Sequence, residues 1–285
     1  MNASLTEPET CVLRVACNDQ PGLITRITGL IFELGGNITE NGEFVDPIQG
    51  RFFLRAAITG LDDDAGLSQA LAQLLPPGAE IDLDRERRKR VVLMATRELH
   101  CLGDLLIRAV SDDLPMQVQA VISNHPDLSD FVEALDLPFH CISHEGLTRQ
   151  AHEARIAEKI DDYAPDVIVL AKYMRIFSPE FVRRYRGRLL NIHHSFLPAF
   201  IGASPYEQAW KRGVKIIGAT AHFATEDLDE GPIIAQDVVP VSHTHGPTEM
   251  ARSGRDVEKR VLARALRIIL ERRYFVTNNK TIIFD

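Results

Sequence analysis

The stretch VVLMATRELHCLGDLLIRAVSDDLPMQVQAVIS, residues 91–123, decides the fold class of the larger part of the chain. It opens with five apolar residues, Val91–Ala95, which have the length of a buried strand. Leu102–Val110 then shows the apolar spacing of a helix, and Val118–Ser123 is a second short apolar run. A strand, a helix and a strand in this order predict a βαβ unit with two parallel strands.

The same alternation continues toward the C-terminus. Further strands are predicted at Phe139–Ile142, Val167–Leu170 and Leu189–Ile192, with a helix over Ala151–Asp162 between them. We therefore expect residues 91–285 to form an α/β domain with a doubly wound, mostly parallel sheet. Apolar residues at helical spacing over Met250–Phe275 predict a last helix that packs on its core. Ligands bind such sheets at the carboxyl ends of the strands, so chemistry is expected directly after a strand.

Residues 1–84 predict a second, smaller α/β domain. Strand-like and helix-like segments follow one another there in the order β-α-β-β-α-β, which is the order of a ferredoxin-like fold. The run that follows, residues 85–90 (RERRKR), is densely charged. A mixed charge run between two domains is usually a solvated segment, so it predicts a linker.

The first predicted helix is flanked by two short motifs. Asp19-Gln-Pro-Gly-Leu23 opens it and Gly35-Gly-Asn-Ile38 closes it, and together with the element order they resemble ACT domains. The resemblance implies either regulation by a small amino acid, glycine or methionine, or assembly alone into a homo-oligomer such as a tetramer. Asp19, Gly22 and Asn37 are the candidate effector-binding residues, because an open helix N-terminus offers amide donors to a carboxylate.

Bulk composition argues against several classes of function. The net charge of −8 disfavours a nucleic-acid partner, which normally requires a basic surface. The four cysteines are scattered, as is usual for reduced thiols inside the cell. The N-terminal MNASLTEPET lacks the apolar core of a signal peptide, and no apolar run approaches the ~20 residues of a membrane span. We expect a cytoplasmic protein that binds neither nucleic acid nor membrane.

Polar side chains follow two of the strands in the larger domain. Asn191 and His193 lie at the end of one strand, where alternation puts them on the same face. Asp229 lies in an acidic loop after a later strand, which resumes beyond Gly231-Pro232. An amide, an imidazole and a carboxylate are the groups needed to attack a carbonyl: an oxyanion donor, a proton carrier and a base. Each is weak evidence alone, and together they predict a catalytic site.

The surrounding motifs make the prediction specific. Asn-x-His followed by Ser-x-Leu-Pro, and later His222-x(6)-Asp-x-Gly-Pro-Ile-Ile234, resemble the formyltransferase fold that uses 10-formyltetrahydrofolate. Ala171–Phe177 resembles the segment that lines the folate pocket in that family. The formyltetrahydrofolate deformylase family shows the same arrangement, in which an ACT-like domain precedes the larger domain. The sequences of His193–Gly202 and Ser253–Lys259 also resemble that family. Thr96–Asp104 has one glycine and two acidic residues where transformylases carry a glycine-rich phosphate loop, which favours water over a phosphorylated acceptor.

The resemblance implies hydrolysis of 10-formyltetrahydrofolate to formate and tetrahydrofolate, which supplies formate for purine synthesis. Asn191 would donate to the formyl oxygen, and His193 would help polarise that oxygen and pass a proton to the departing N10. Asp229 would orient and deprotonate the water and hold His193 in the useful protonation state. Arg175 would face either the glutamate tail of the folate or a surface carboxylate. Neither a cofactor nor a metal is expected, and His140-Cys141-x-x-His144 is weak as a zinc motif. The remaining candidate folate-binding residues are Tyr173, Met174, Ile176, Phe177, Ser195, His222, Thr225, Glu226 and Leu228.

Two other functions stay open at this point. A formyl transferase acting on an amine acceptor would use the same three catalytic residues. A non-catalytic amino-acid sensor would use the ACT-like domain alone, although such a protein has no physical need for Asn191, His193 and Asp229 together.

Overall fold

A computed structural model describes residues 9–198 and 205–284. The quoted segment His193–Gly202 extends past the described residues at Ala199, and most of the N-terminal MNASLTEPET precedes them. The chain divides into two compact units, one that runs to Arg87 and includes Phe284, and one that spans Arg88–Ile283. In the part of the chain that the structure describes, no helix has the length and apolar character needed to cross a membrane.

The first unit has the predicted β-α-β-β-α-β order. Its elements are β1 (Cys11–Asn18), α1 (Leu23–Glu33), β2 (Asn37–Asp46), β3 (Arg51–Thr59), α2 (Asp64–Leu74) and β4 (Glu80–Arg85). The four strands form an antiparallel sheet in the order β2-β3-β1-β4. Side chains of both helices, such as Ile27 and Leu71, pack with Leu13 and Leu54 of the central strands in one core.

The second unit holds a seven-stranded sheet in the order β11-β10-β9-β8-β5-β6-β7. Its first elements are β5 (Lys89–Ala95), α3 (Leu99–Val110), β6 (Met116–Ser123), α4 (Ser129–Glu133), β7 (Phe139–Cys141), α5 (Arg149–Tyr163), β8 (Val167–Leu170), α6 (Pro179–Arg184) and β9 (Leu189–His193). They are followed by α7 (Pro205–Arg212), β10 (Ile216–Phe223), β11 (Ile233–Pro240), α8 (Pro247–Leu270), β12 (Tyr274–Thr277) and β13 (Lys280–Ile283). Strands β5 to β9 are parallel, and β10 and β11 extend the sheet antiparallel. The predicted fold class is confirmed.

The central strand β5 explains why the sheet is doubly wound. Val91 and Leu93 pack with α3 and α8 on one face, whereas Val92 and Met94 pack with α5 and α6 on the other. A strand that is buried on both faces reads as a continuous apolar run, as residues 91–95 do.

Two predicted boundaries are wrong. Half of the segment 85–90 is strand, because β4 runs to Arg85 and β5 begins at Lys89, so only residues 86–88 connect them. The last helix ends at Leu270 and not at Phe275. Beyond it Tyr274–Thr277 pairs with Lys280–Ile283 around Asn278 and Asn279, whose φ angles of 46° and 60° suit a tight hairpin turn.

Candidate active site

The candidate site is built where β9 and β10 pair. Asn191 and His193 alternate along β9, as predicted, and the antiparallel register sets His222 opposite Asn191 and Thr220 opposite His193. The amide Nδ2 of Asn191 lies 3.2 Å from Nε2 of His222. Nδ1 of His222 lies 3.0 Å from the carbonyl oxygen of Phe223 and donates to it, which leaves Nε2 facing Asn191. His222 therefore orients the Asn191 amide.

The loop after β10 brings the carboxylate to this pair. Asp229 Oδ2 lies 3.3 Å from Nδ1 of His193, and Oδ1 lies 3.6 Å from Nε2 of His222. Asp229 has a φ of 58°, a left-handed conformation that Asp tolerates better than most residues. The loop closes at Gly231, where a Cβ would fall 1.8 Å from the carbonyl oxygen of Phe223. Only glycine fits this turn, so the Gly-Pro of the motif positions Asp229.

The surroundings of Asp229 keep its carboxyl group ionised. Burial alone would raise the pKa of Asp229, but the hydrogen bond from His193, with His222 close by, outweighs it and holds that pKa below its usual range. Asp229 is therefore an anion and a weak base. Because Nδ1–H of His193 is directed at Asp229, the Nε2 atom of this ring carries a lone pair. This atom is buried and has no hydrogen-bond partner among the residues described.

A cavity of about 450 Å³ opens beside these residues. One wall includes the nearly parallel rings of Tyr173 and Phe177, whose centroids lie 5.3 Å apart. Phe181, outside the lining, continues this stack 4.0 Å from Phe177. The phenol of Tyr173 is buried, has no partner within the described chain, and has a raised pKa because of that burial. A flat slot with a few polar atoms suits a heterocyclic ligand.

Most of the predicted site residues meet in this cavity. Its lining includes Asn191, His193, Asp229, Tyr173, Met174, Arg175, Ile176, Phe177, His222, Thr225, Glu226 and Leu228. Ser195 is buried outside this lining, and its carbonyl accepts a hydrogen bond from Thr220. Lys172 and His194 also line the cavity, although neither was named among the candidate site residues. Their position directly after a parallel strand was the available signal.

The remaining predicted residues lie elsewhere. Asp19, Gly22 and Asn37 are exposed in the first unit. Gly22, with a φ of 83°, precedes α1, which begins without a side-chain cap. In the second unit, His140 bonds to the hydroxyl of Tyr163 while His144 lies beside Asn124, so these two histidines have separate partners.

Comparison with known proteins agrees with this geometry. Residues 89–266 match the formyl transferase family. Formyltetrahydrofolate deformylase of Escherichia coli (strain K12) is 53% identical over 95% of this chain and 97% of its own length. The crystal structure of a formyltetrahydrofolate deformylase from Pseudomonas syringae pv. tomato superposes with a TM-score of 0.94 at 43% identity, covering 99% of this chain and 96% of that one. A glycinamide ribonucleotide transformylase from Symbiobacterium toebii gives a TM-score of 0.67 at 30% identity, covering 70% of this chain and 95% of that one.

Proposed function

The chain belongs to the formyl transferase family, and from this premise we propose that it hydrolyses 10-formyltetrahydrofolate to formate and tetrahydrofolate. The proposal rests on how much of the chain each kind of relative matches. Similarity to deformylases extends over 95% of the chain, whereas the transformylase match covers 70%. The predicted deformylase resemblance is confirmed by these relatives. Water is then the acceptor, and no cofactor beyond the folate substrate takes part.

The chemistry follows from the hydrogen-bond roles at the site. The Asn191 amide donates to the formyl oxygen as negative charge develops there, which in other acyl-transfer enzymes is worth about 3 kcal/mol for one donor. A water oxygen bonds to the formyl carbon, and Nε2 of His193 takes the water proton. The C–N10 bond then breaks as the proton passes from His193 to N10, and tetrahydrofolate leaves together with formic acid, which loses its remaining proton to water as formate.

Asp229 supports this transfer by its charge. Its depressed pKa makes it a poor acceptor for the water proton, so we assign it two roles: it orients the water, and it stabilises the His193 cation through Nδ1. This differs from the expectation that Asp229 itself deprotonates the water. The low pKa supports His193 as the group that carries the proton.

The pterin ring occupies the cavity against the Tyr173 and Phe177 stack, and the phenol of Tyr173 is available to bond it. Arg175 is half-buried in the lining, and we assign it to bind a carboxylate of the glutamate tail. The first unit binds an amino-acid effector at Asp19, Gly22 and Asn37 or serves in homo-oligomer assembly. Sedimentation and isothermal titration with glycine and methionine separate these two roles.

The deciding experiment measures formate release from 10-formyltetrahydrofolate by the full chain with no amine acceptor. Turnover in water that is lost in Asn191→Ala supports hydrolysis at this site. The second candidate is formyl transfer to an amine, which the solved transformylase of the same fold favours. Silence in water with formylation of glycinamide ribonucleotide would make that candidate correct, and silence in both would leave the non-catalytic sensor.

A further inference from the structure

A buried network of charged side chains lies directly behind the candidate catalytic histidine. The ring of His194 stacks on the ring of His193, with centroids 5.0 Å apart and planes 13° from parallel. Nζ of Lys172 lies 3.2 Å from Nδ1 of His194. Lys172 follows β8 and His194 follows β9, which are neighbouring parallel strands, so their carboxyl ends bring the two side chains together.

Lys172 is held in this position by its partner and its backbone. It is 6% exposed and pairs with Glu258 of α8, whose side chain is fully buried, at 3.4 Å. Its φ of 66° is left-handed, which is uncommon for any residue except glycine. The surrounding contacts, including the buried carboxylate, must hold Lys172 in this strained backbone conformation. Residues strained in this way cluster at functional sites.

Glu258 is itself anchored by two further hydrogen bonds. His100 of α3 approaches it at 2.7 Å and the hydroxyl of Tyr206 in α7 at 2.5 Å. Tyr206 fits because Gly254 lies one turn before Glu258, where a Cβ would fall 2.1 Å from the phenol oxygen. Burial alone would raise the pKa of Glu258, but the bond from His100 and the charge of Lys172 bring it to about 2. Glu258 therefore keeps its charge and Lys172 its counter-ion.

A metal centre is the competing interpretation of this cluster. Ligand atoms of His100, Cys101 and Glu258 lie within 4.8 Å of one another. However, the carboxylate oxygen that faces His100 also faces the ammonium of Lys172, which would repel a cation. Burial also raises the pKa of Cys101, which opposes the thiolate that a metal requires. The hydrogen-bonded network accounts for these side chains better.

We propose that Lys172 is a positioning residue that holds His194 as the neutral tautomer protonated at Nε2, so that the ring stacked on His193 stays uncharged while His193 carries the proton. An ammonium group can only donate, so Nδ1 of His194 must be the acceptor. A second imidazolium 5.0 Å from His193 would repel the cation that turnover forms there. The catalytic consequence rests on the proposed hydrolysis; the tautomer of His194 does not.

The charged and titratable groups that the structure describes near His194 are consistent with this assignment. Lys172 faces it from the segment after β8, Tyr206 from α7 with ring centroids 6.5 Å apart, and His193 from β9. Glu258 and His100 lie behind Lys172 and Tyr206, with Glu98 3.4 Å from His100, and Asp229 lies behind His193. Lys172 is a cation in direct contact with His194, and its charge disfavours protonation of the ring.

The first test reads the tautomer without substrate. Nitrogen-15 NMR of the histidine-labelled full chain, with His194 assigned from His194→Gln, should give an unprotonated Nδ1 from about pH 8 to about pH 5. In Lys172→Met the His194 ring should titrate within that range. An Nδ1–H tautomer, or a titrating His194 in the unmodified protein, would overturn the proposal whether or not the protein hydrolyses formylfolate.

The second test reads turnover against pH. Lys172→Met should lower kcat about 100-fold near pH 6, which is the size of loss that a small misplacement of a catalytic group causes. Near pH 8.5 the loss of kcat should be much smaller, and KM should stay within about threefold at both pH values. Lys89→Met, which removes a buried lysine at the opposite end of β5, should stay within about twofold of the original kcat. An equal loss at both pH values would indicate a purely structural role. If Lys172→Met fails to fold because Glu258 is left unpaired, Lys172→Met with Glu258→Gln removes both charges and is compared in its place.

Discussion

Replacing Asp229 by Asn tests the central electrostatic claim with the least change of shape. Asparagine keeps the size of the side chain and removes its charge. Its Nδ2 can also donate to Nδ1 of His193, which would move the ring proton to Nε2. The lone pair that accepts the water proton would then be lost, so both the charge and the tautomer of the pair would be wrong.

The magnitude follows from the contact between Asp229 and His193. Two unit charges 3.3 Å apart attract by about 5 kcal/mol at an effective dielectric constant of about 20. Both side chains are largely buried, 7% and 11% exposed, so solvent screens the pair little. At about 1.4 kcal/mol per tenfold change in rate, the expected loss of kcat is between about 10³- and 10⁴-fold. KM should change by less than about threefold, since the charge interaction develops with the transition state.

The assay couples formate release to formate dehydrogenase and follows NADH. Glu230→Gln, which removes the same charge from the next, exposed position, is the matched control and should stay within about twofold. Retention of more than a tenth of kcat by Asp229→Asn, or a loss confined to KM, would refute the assignment of Asp229 as the stabiliser of the His193 cation.

Three further predictions address the neighbouring groups. Asn191→Ala should lower kcat about 10²- to 10³-fold with little change in KM, measured by the same formate assay. Glu258→Gln should lower the free energy of unfolding, followed by urea titration, by an amount on the order of 3 kcal/mol near pH 7, since the folded pKa of about 2 lies below the ordinary 4.5. A carboxyl group with a depressed folded-state pKa stabilises the fold fully only above its unfolded-state pKa. The difference in unfolding free energy should therefore shrink as the pH falls from about 5 toward 2. Gly254→Ala should lower Tm by displacing Tyr206, whereas Gly103→Ala, where a Cβ meets nothing closer than 3.5 Å, should raise it.

Sequence reasoning located the elements of the fold because burial leaves a local pattern. Val167–Leu170 was predicted as a strand and is β8 to the residue, since a strand buried on both faces is apolar throughout. The last helix was predicted five residues too long, because the apolar residues of the β12 strand continue the helical spacing past Leu270. Local periodicity does not distinguish a helix end from a short strand that packs on the same core.

Local sequence pattern also predicted part of the candidate catalytic site. Asn191 and His193 share a strand, so alternation alone places them on one face. The position of Asp229 beside His193 depends on the antiparallel pairing of β9 with β10 and on the closure of the loop at Gly231, which no local pattern states. Ser195 is close to His193 in the chain, but its carbonyl accepts a hydrogen bond from Thr220 in the core, which its position in the sequence does not reveal.

The sequence by itself determined the α/β class, the order of the strands along the chain and which strand end carries the amide and the imidazole, because these depend on spacing between near neighbours. Only the tertiary structure decided which distant groups meet there. Lys172 and Glu258 are 86 positions apart and 3.4 Å apart in space, and Asn191 and His222 are 31 positions apart and 3.2 Å apart. Such contacts come from strand pairing and helix packing across the whole domain, whose energies are summed over many residues and are not encoded near any one of them.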